Sequence, residues 1–164
     1  MENLDFRPSK SKEDFRKNYK LHDLAEYNGK NLLTQWGIKF REFGQDKRYE
    51  ALWEKGKDKP DLLISVNNKK VFLDWKGKNG RTWLVNKRAV AAYEMWMNKY
   101  SLPVIIVFFV FNNEREIAEK RFALLGKHKY ADSTKKQWDK NSTVEFSDQL
   151  PEFSKANLVK ILSE

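Results

Sequence analysis

The stretch from Pro60 to Lys76 constrains the fold of this chain most. It sets ionisable residues inside two runs that otherwise have the composition of buried strands. An apolar run, Asp61 to Val66, and a run rich in β-branched and aromatic residues, Lys69 to Lys76, flank the pair Asn67-Asn68. Asparagine tolerates positive φ, so this pair predicts a two-residue turn. The stretch is therefore predicted to fold as an antiparallel β-hairpin.

The register of this hairpin decides which side chains meet. With a two-residue turn, Leu62 pairs with Leu73 and Asp61 with Asp74, and their Cβ atoms lie about 4.5–5.5 Å apart on one face. Lys76 follows two residues after Asp74, on the same face. A four-residue loop would set Asp61 against Lys76 and keep all three on one face, whereas a three-residue loop would separate them. Facing carboxylates destabilise a sheet unless a divalent cation such as magnesium neutralises them, so the pattern predicts a metal site.

The segments around the hairpin predict a three-layer α/β core. A helix is predicted from Leu21 to Trp36, and it carries Glu26 among residues that would face the sheet; an exposed surface glutamate is the alternative. Ile38 to Phe43 is predicted as a strand and Leu84 to Tyr100 as a second helix. Val104 to Phe111 is apolar on both alternating faces, which is typical of a strand covered by helices on both sides. The predicted order is αβββαβ, with a central mixed sheet flanked by helices.

The length of 164 residues favours one domain, residues 1–164. Residues 1–20 are predicted to be a basic N-terminal arm, residues 21–111 the core and residues 112–164 a C-terminal extension. The extension has weaker patterns. They suggest a helix from Glu114 to Lys120, a strand from Arg121 to Leu125, a short edge strand from Val144 to Phe146 and a terminal helix from Glu152 to Leu162.

The charge of the chain points to a polyanionic partner, and nucleic acid is the commonest one. The formal net charge is +9 and the sequence pI is about 9.6. The N-terminal arm would lie on a phosphate backbone or form a solvated leader. Lys78 and Arg81 follow the hairpin, and Lys87 and Arg88 stand near the start of the second helix. All four are candidate phosphate contacts.

Composition also excludes several kinds of site. The chain has no cysteine, which removes disulfides, thiol nucleophiles and cysteine-based zinc sites. His22 and His128 have no cysteine partner and no metal-ligand spacing, so we assign them no role. The amino terminus lacks an apolar signal region, and the longest apolar run is far below membrane-spanning length. We expect a soluble cytoplasmic protein with no membrane partner.

The combination of Pro60-Asp61, Asp74-Trp75-Lys76 and Glu26 on a preceding helix resembles the PD-(D/E)xK nuclease superfamily. The resemblance covers about Leu21 to Phe111 and implies a restriction endonuclease-like or archaeal junction resolvase-like core. It implies that Asp61 and Asp74 bind the catalytic metal ion, usually Mg²⁺ with Mn²⁺ as a substitute, and that Glu26 completes the metal site. Lys76 would position or activate the attacking water. Asp74 stands where Glu is more frequent in the family, which lies within its range.

Two further positions bear on the resemblance. Lys87 falls where several subfamilies carry a polar or basic residue, and the tail from Asn113 onward matches no part of the family pattern. The resemblance implies a metal-dependent nuclease, and a DNA endonuclease is the first expectation. Paired double-strand cuts would require two active sites, which favours a homodimer. One alternative is a nucleic-acid-binding module that has a nuclease-like fold without activity. A metal-dependent enzyme acting on a small phosphorylated substrate is a more distant one.

Overall fold

The computed structural model describes residues 20–44, 58–133, 142–147 and 149–164. The predicted N-terminal arm lies outside these ranges except for Lys20. No helix within them is both long and apolar enough to cross a membrane. The elements in chain order are α1 (Leu21–Gln35), β1 (Lys39–Glu42), β2 (Leu62–Val66), β3 (Lys69–Lys78), β4 (Leu84–Asn86), α2 (Lys87–Tyr100), β5 (Val104–Phe111), β6 (Ile117–Leu124), β7 (Tyr130–Asp132), β8 (Thr143–Phe146) and α3 (Lys155–Leu162).

The core of the molecule is a five-stranded mixed sheet in the order β1-β2-β3-β5-β6. β3 and β5 run parallel, and the other neighbouring pairs are antiparallel. Every residue of β5 is buried, because this strand lies inside the sheet with both faces covered. The predicted three-layer α/β architecture, with a central mixed sheet flanked by helices, is confirmed.

Alternate residues of β3 face different helices, and this separates the two layers. Leu73 and Trp75 pack in a cluster with Leu24 of α1. Phe72 packs in a second cluster with Tyr93 of α2. Because Asp74 follows Phe72 by two residues, its side chain lies on the α2 face of the sheet. The proposed catalytic residues of β3 therefore face α2, while Glu26 is carried by the helix on the other face.

Gly29 allows α1 to lie directly on the sheet. A Cβ at this position would stand 2.2 Å from the ring of Trp75, whose side chain is fully buried. Alanine would gain about 1 kcal/mol of helix propensity, but the tryptophan has no free space to enter. We expect Gly29→Ala to lower the free energy of unfolding by about 1–3 kcal/mol, as overpacked core positions do.

Denaturant unfolding would measure this effect. Gly80→Ala is the matched control, since nothing lies within 4 Å of a Cβ there. An unchanged or raised stability of Gly29→Ala would show that α1 does not lie as close to Trp75 as described.

Three predictions about the second half of the chain are wrong in the same way. Residues 84–86 form strand β4 and not the first turn of a helix, because their backbone pairs with β8 in the register Val85↔Val144. The segment predicted as a helix from Glu114 contains the start of β6, an edge strand paired with β5. β8 is the central strand of a second sheet, β4-β8-β7, and not an edge. Strand pairing overrides the local pattern in each case, with the distant β8 for β4 and with the preceding strand β5 for β6.

The terminal helix is confirmed with a later start. Ser154 caps α3, because its hydroxyl accepts a hydrogen bond from the Asn157 N–H. Phe153, Leu158 and Leu162 join the cluster that α1 also covers. The C-terminal extension thus completes the layer on the α1 face.

Candidate active site

The β2–β3 hairpin has the predicted two-residue turn. Asn67 and Asn68 adopt φ angles of 49° and 68°, as the first and second positions of a type I′ turn require. The ladder pairs Val66 with Lys69 and ends with Leu62 opposite Leu73. One residue beyond this last pair, the same register sets Asp61 opposite Asp74. The alternative loop lengths are excluded.

Asp61 is anchored to both neighbouring strands just before β2 begins. Its Oδ2 accepts a hydrogen bond from the Trp75 N–H at 2.8 Å. Its backbone carbonyl accepts hydrogen bonds from the N–H groups of Phe43 and Gly44, at 2.9 and 3.2 Å. The carboxylate is therefore held against β3 by a backbone contact and cannot swing freely into solvent.

Asp74 and Lys76 form a largely enclosed ion pair on the same strand. Asp74 is 3% exposed, and its Oδ2 lies 2.9 Å from Lys76 Nζ. Lys76 Nζ donates a hydrogen bond of 3.3 Å to the hydroxyl of Tyr93 on α2. The lysine is thus held between a carboxylate of its own strand and a hydroxyl of the covering helix.

The electrostatics of this group follow from burial and close charges. Burial and the negative charge of Asp74 raise the pKa of Asp61 far above its ordinary value, against the opposing effects of the Trp75 N–H and Lys76. Burial would lower the pKa of Lys76, but the charges of Asp74 and Asp61 outweigh it and raise that pKa. Burial and the same two carboxylates raise the pKa of the Tyr93 hydroxyl. Without a cation, Asp61 therefore keeps a proton at neutral pH, and a divalent cation would be needed for both aspartates to be ionised at that pH.

Glu26 lies beside this group and is separated from it by a histidine. His22 Nε2 stands 3.8 Å from Glu26 Oε2 and 3.8 Å from Asp61 Oδ1. Lys30 donates a 2.8 Å hydrogen bond to Glu26 and also pairs with Glu42 at the end of β1. The structure therefore places Glu26 on the Asp61 side of the site, already paired with a lysine.

The described ranges contain no cluster of three or more histidine, aspartate and glutamate residues that could hold a metal ion. The structure brings together two of the predicted ligands, Asp61 and Asp74. Mg²⁺ is commonly held by one or two protein carboxylates together with substrate phosphates, so this pair fits such an ion. Glu26 as a third ligand stays a prediction.

The predicted phosphate-binding residues lie around the site, each with a partner within the protein. Lys78 Nζ donates to the Leu84 carbonyl at 2.6 Å, and burial together with the positive charge of Lys76 lowers the pKa of Lys78 to about 8. The other three make exposed ion pairs, which contribute little and which a phosphate can replace. These pairs are Arg81 with Glu119 at 3.0 Å, Lys87 with Asp132 at 3.1 Å and Arg88 with Asp58 at 3.5 Å.

Sequence reasoning missed three residues of this neighbourhood. The sequence analysis gives no site role to Tyr93, His22 or Lys30, yet all three contact the carboxylates or the lysine. A signal existed for two of them, because His22, Glu26 and Lys30 follow each other at intervals of four and so share one face of α1. No local signal marks Tyr93, which reaches Lys76 only through tertiary packing.

Comparisons with known proteins give a likeness in fold. No protein-family model matches this chain, and no curated protein matches it. Among solved structures it is similar to Hjc of Archaeoglobus fulgidus, a Holliday junction resolvase from an archaeal hyperthermophile, with a TM-score of 0.54 and 10% sequence identity. The similarity covers 86% of this chain and 97% of that chain. At this identity the likeness shows the fold: a mixed sheet flanked by helices, of the resolvase and restriction endonuclease-like type.

Proposed function

We propose that this protein is a metal-dependent nuclease that hydrolyses phosphodiester bonds, with DNA as its substrate. One observation carries the proposal: Asp61, Asp74 and Lys76 meet on one face of a hairpin, in a buried group where burial and the charge of Asp74 raise the pKa of the facing Asp61, a repulsion that a divalent cation would relieve. The fold supports it, since the similar chain is a Holliday junction resolvase. The net charge of +9 favours a polyanionic substrate.

Asp61 and Asp74 would hold the divalent cation, Mg²⁺ or Mn²⁺ in its place. Their opposed carboxyl groups offer the hard oxygen ligands that such ions prefer. When bound, the cation would supply Lewis-acid chemistry, neutralising charge on the phosphate and making water more acidic. Glu26 is proposed as an additional acidic group, beside Asp61.

Lys76 would stabilise the negative charge that develops on the phosphate as the bond to the leaving oxygen breaks. Its raised pKa keeps it protonated at neutral pH. Tyr93 fixes the direction of the Lys76 side chain, because the tyrosine hydroxyl accepts a hydrogen bond from one of the three N–H groups of the ammonium. The Trp75 N–H holds the Asp61 carboxylate in place. The chain thus holds the Lys76 ammonium and the two facing aspartate side chains in place before substrate arrives.

Tyr93 is proposed as a positioning residue, and its hydroxyl can be removed alone. We expect Tyr93→Phe to lower kcat for DNA cleavage about tenfold, since a hydrogen bond to a charged group contributes about 1.5 kcal/mol. KM should change little, because the ring still packs. Steady-state kinetics would measure both constants. Tyr130→Phe, which loses an exposed hydroxyl bonded to Glu94, is the control; equal kinetics for Tyr93→Phe and the unaltered protein would contradict the positioning role.

The alternative function is a nucleic-acid-binding module without activity. Incubation of purified protein with supercoiled plasmid, a four-way junction, single strands and RNA, in magnesium and in chelator, separates the two. Metal-dependent cutting supports the nuclease and shows which substrate is preferred. Salt-sensitive retention without cutting on any substrate supports the binding module instead.

A further inference from the structure

A basic groove lies on the same sheet face as Asp74, beyond the end of α2. It encloses about 240 Å³ between the edge strand β1, β2 and the start of β3. Its cations are Lys39 and Arg41 on β1 and Lys70 on β3, and all three are exposed. Leu63 and the half-buried Ser65 form part of its lining. We call this set of five residues the β1 groove.

The register shows why these side chains share a face with the candidate active site. Lys39 pairs with Ser65, which in turn pairs with Lys70, and directly paired residues project to the same side of a sheet. Lys70 precedes Asp74 by four residues, so both lie on the α2 face. Lys69, by contrast, projects to the other face and donates to the carbonyl of Leu162 on α3.

Helix α2 ends before it reaches the β1 groove. Its last residue, Tyr100, packs against Phe72 with a ring separation of 5.7 Å, and Ser101 terminates the helix in the left-handed conformation. Lys70 lies two residues before Phe72, past the helix end. Near the β2–β3 turn, the α2 face of the sheet is therefore open to solvent.

The charge of the β1 groove is uncompensated within the part of the chain that the structure describes. No acidic residue there pairs with Lys39, Arg41 or Lys70. In contrast, three of the four basic residues near the active site already contact carboxylates. Three exposed cations and a hydroxyl around an open groove suit phosphate oxygens. Lysine and arginine on an edge strand also oppose the addition of another strand.

We propose that the β1 groove binds the phosphodiester backbone of the substrate away from the bond that is cut. Lys70 and Asp74 lie about 13 Å apart along β3, which corresponds to about four base pairs of duplex. The inference rests on the proposed function, and it adds that the substrate is a polynucleotide long enough to occupy both places. A small phosphodiester would reach only the aspartate pair.

The test compares two double variants, each of which loses two positive charges. Lys39→Gln/Lys70→Gln changes the β1 groove. Lys155→Gln/Lys160→Gln changes two lysines of α3 on the opposite face and is the control. Fluorescence anisotropy with a labelled linear duplex in chelator measures affinity without cutting. We expect the groove variant to bind at least about tenfold more weakly at 0.1 M salt and its salt slope to fall by about two, with the control close to the unaltered protein.

Equal affinities of the groove variant and the control would overturn the proposal, and so would a lack of binding by the unaltered protein. A change in sedimentation of the groove variant without a change in duplex affinity would assign the groove to a second copy of the chain instead. The proposed nuclease activity is scored separately, by magnesium-dependent cutting of the same duplex. A failure of cutting with an intact groove effect would remove the proposed function and leave duplex binding by the groove standing.

Discussion

Asp74→Asn is expected to reduce phosphodiester cleavage by at least about 10²–10³-fold, the scale of losing one preorganised electrostatic group in an active site. The change removes one of the two carboxylates proposed to hold the cation and the anionic partner of Lys76. It should not unfold the protein, because asparagine keeps the side-chain shape and the change removes a charge that raises the pKa of Asp61. Lys76→Ala should lose activity on a similar scale, since the ammonium that stabilises the developing charge is gone.

Single-turnover cleavage of a labelled duplex in magnesium would measure both losses. Glu114→Gln removes an exposed negative charge and is the control for Asp74→Asn. Lys155→Ala removes an exposed positive charge and is the control for Lys76→Ala. Circular dichroism would verify that each variant is folded. Cleavage by folded Asp74→Asn or Lys76→Ala at the rate of the unaltered protein would remove these residues from the reaction.

Asp61→Asn is expected to stabilise the metal-free protein at neutral pH by about 2 kcal/mol. Asp61 is largely buried and faces Asp74, and these two causes raise its pKa from 3.8 to about 9. The folded state keeps a proton that the unfolded chain releases, so the stability contributed by this group falls as the pH rises from about 4 to about 9. Asparagine cannot ionise and still offers an oxygen to the Trp75 N–H.

Thermal melts across this pH range would test the expectation. The difference between Asp61→Asn and the unaltered protein should be small near pH 4 and grow toward pH 9. Magnesium should raise the Tm of the unaltered protein and close the gap, because an ion that binds only the folded state stabilises it; the variant should gain little. A variant that is less stable than the unaltered protein throughout would contradict the account of facing carboxylates.

The hairpin and its register could be predicted from sequence because the determinants are local. Asn67 and Asn68 select a two-residue turn, and a one-residue slip would have moved Asp61 to the other face. The apolar run from Val104 to Phe111 was equally informative, since only a strand covered on both faces is apolar throughout.

Elements whose conformation depends on pairing with another strand could not be predicted in this way. β4 becomes a strand because β8, far along the chain, pairs with it. β6 is polar in its first half because an edge strand exposes that part to water. Helical and strand patterns are similar in such short polar segments, and the tertiary partner decides between them.

Within the candidate site, the positions of some residues follow from local sequence and those of others depend on tertiary packing. Asp61, Asp74 and Lys76 share one hairpin, so their meeting follows from local register. Glu26 comes from the helix on the other sheet face, and its approach to Asp61 through His22 depends on how α1 lies over Trp75. The approach of Tyr93 to Lys76 depends in the same way on where α2 lies.

The proposed function requires that Asp61, Asp74 and a divalent cation form the site of phosphodiester cleavage. The most direct measurement is the cleavage rate of a labelled DNA duplex and a four-way junction by chelator-stripped protein, followed as magnesium is added back. The account predicts no cutting without the ion, a rate that rises and saturates with magnesium, and loss of that response in Asp74→Asn. Cutting that persists in chelator, or binding without cutting at every magnesium concentration, would contradict it.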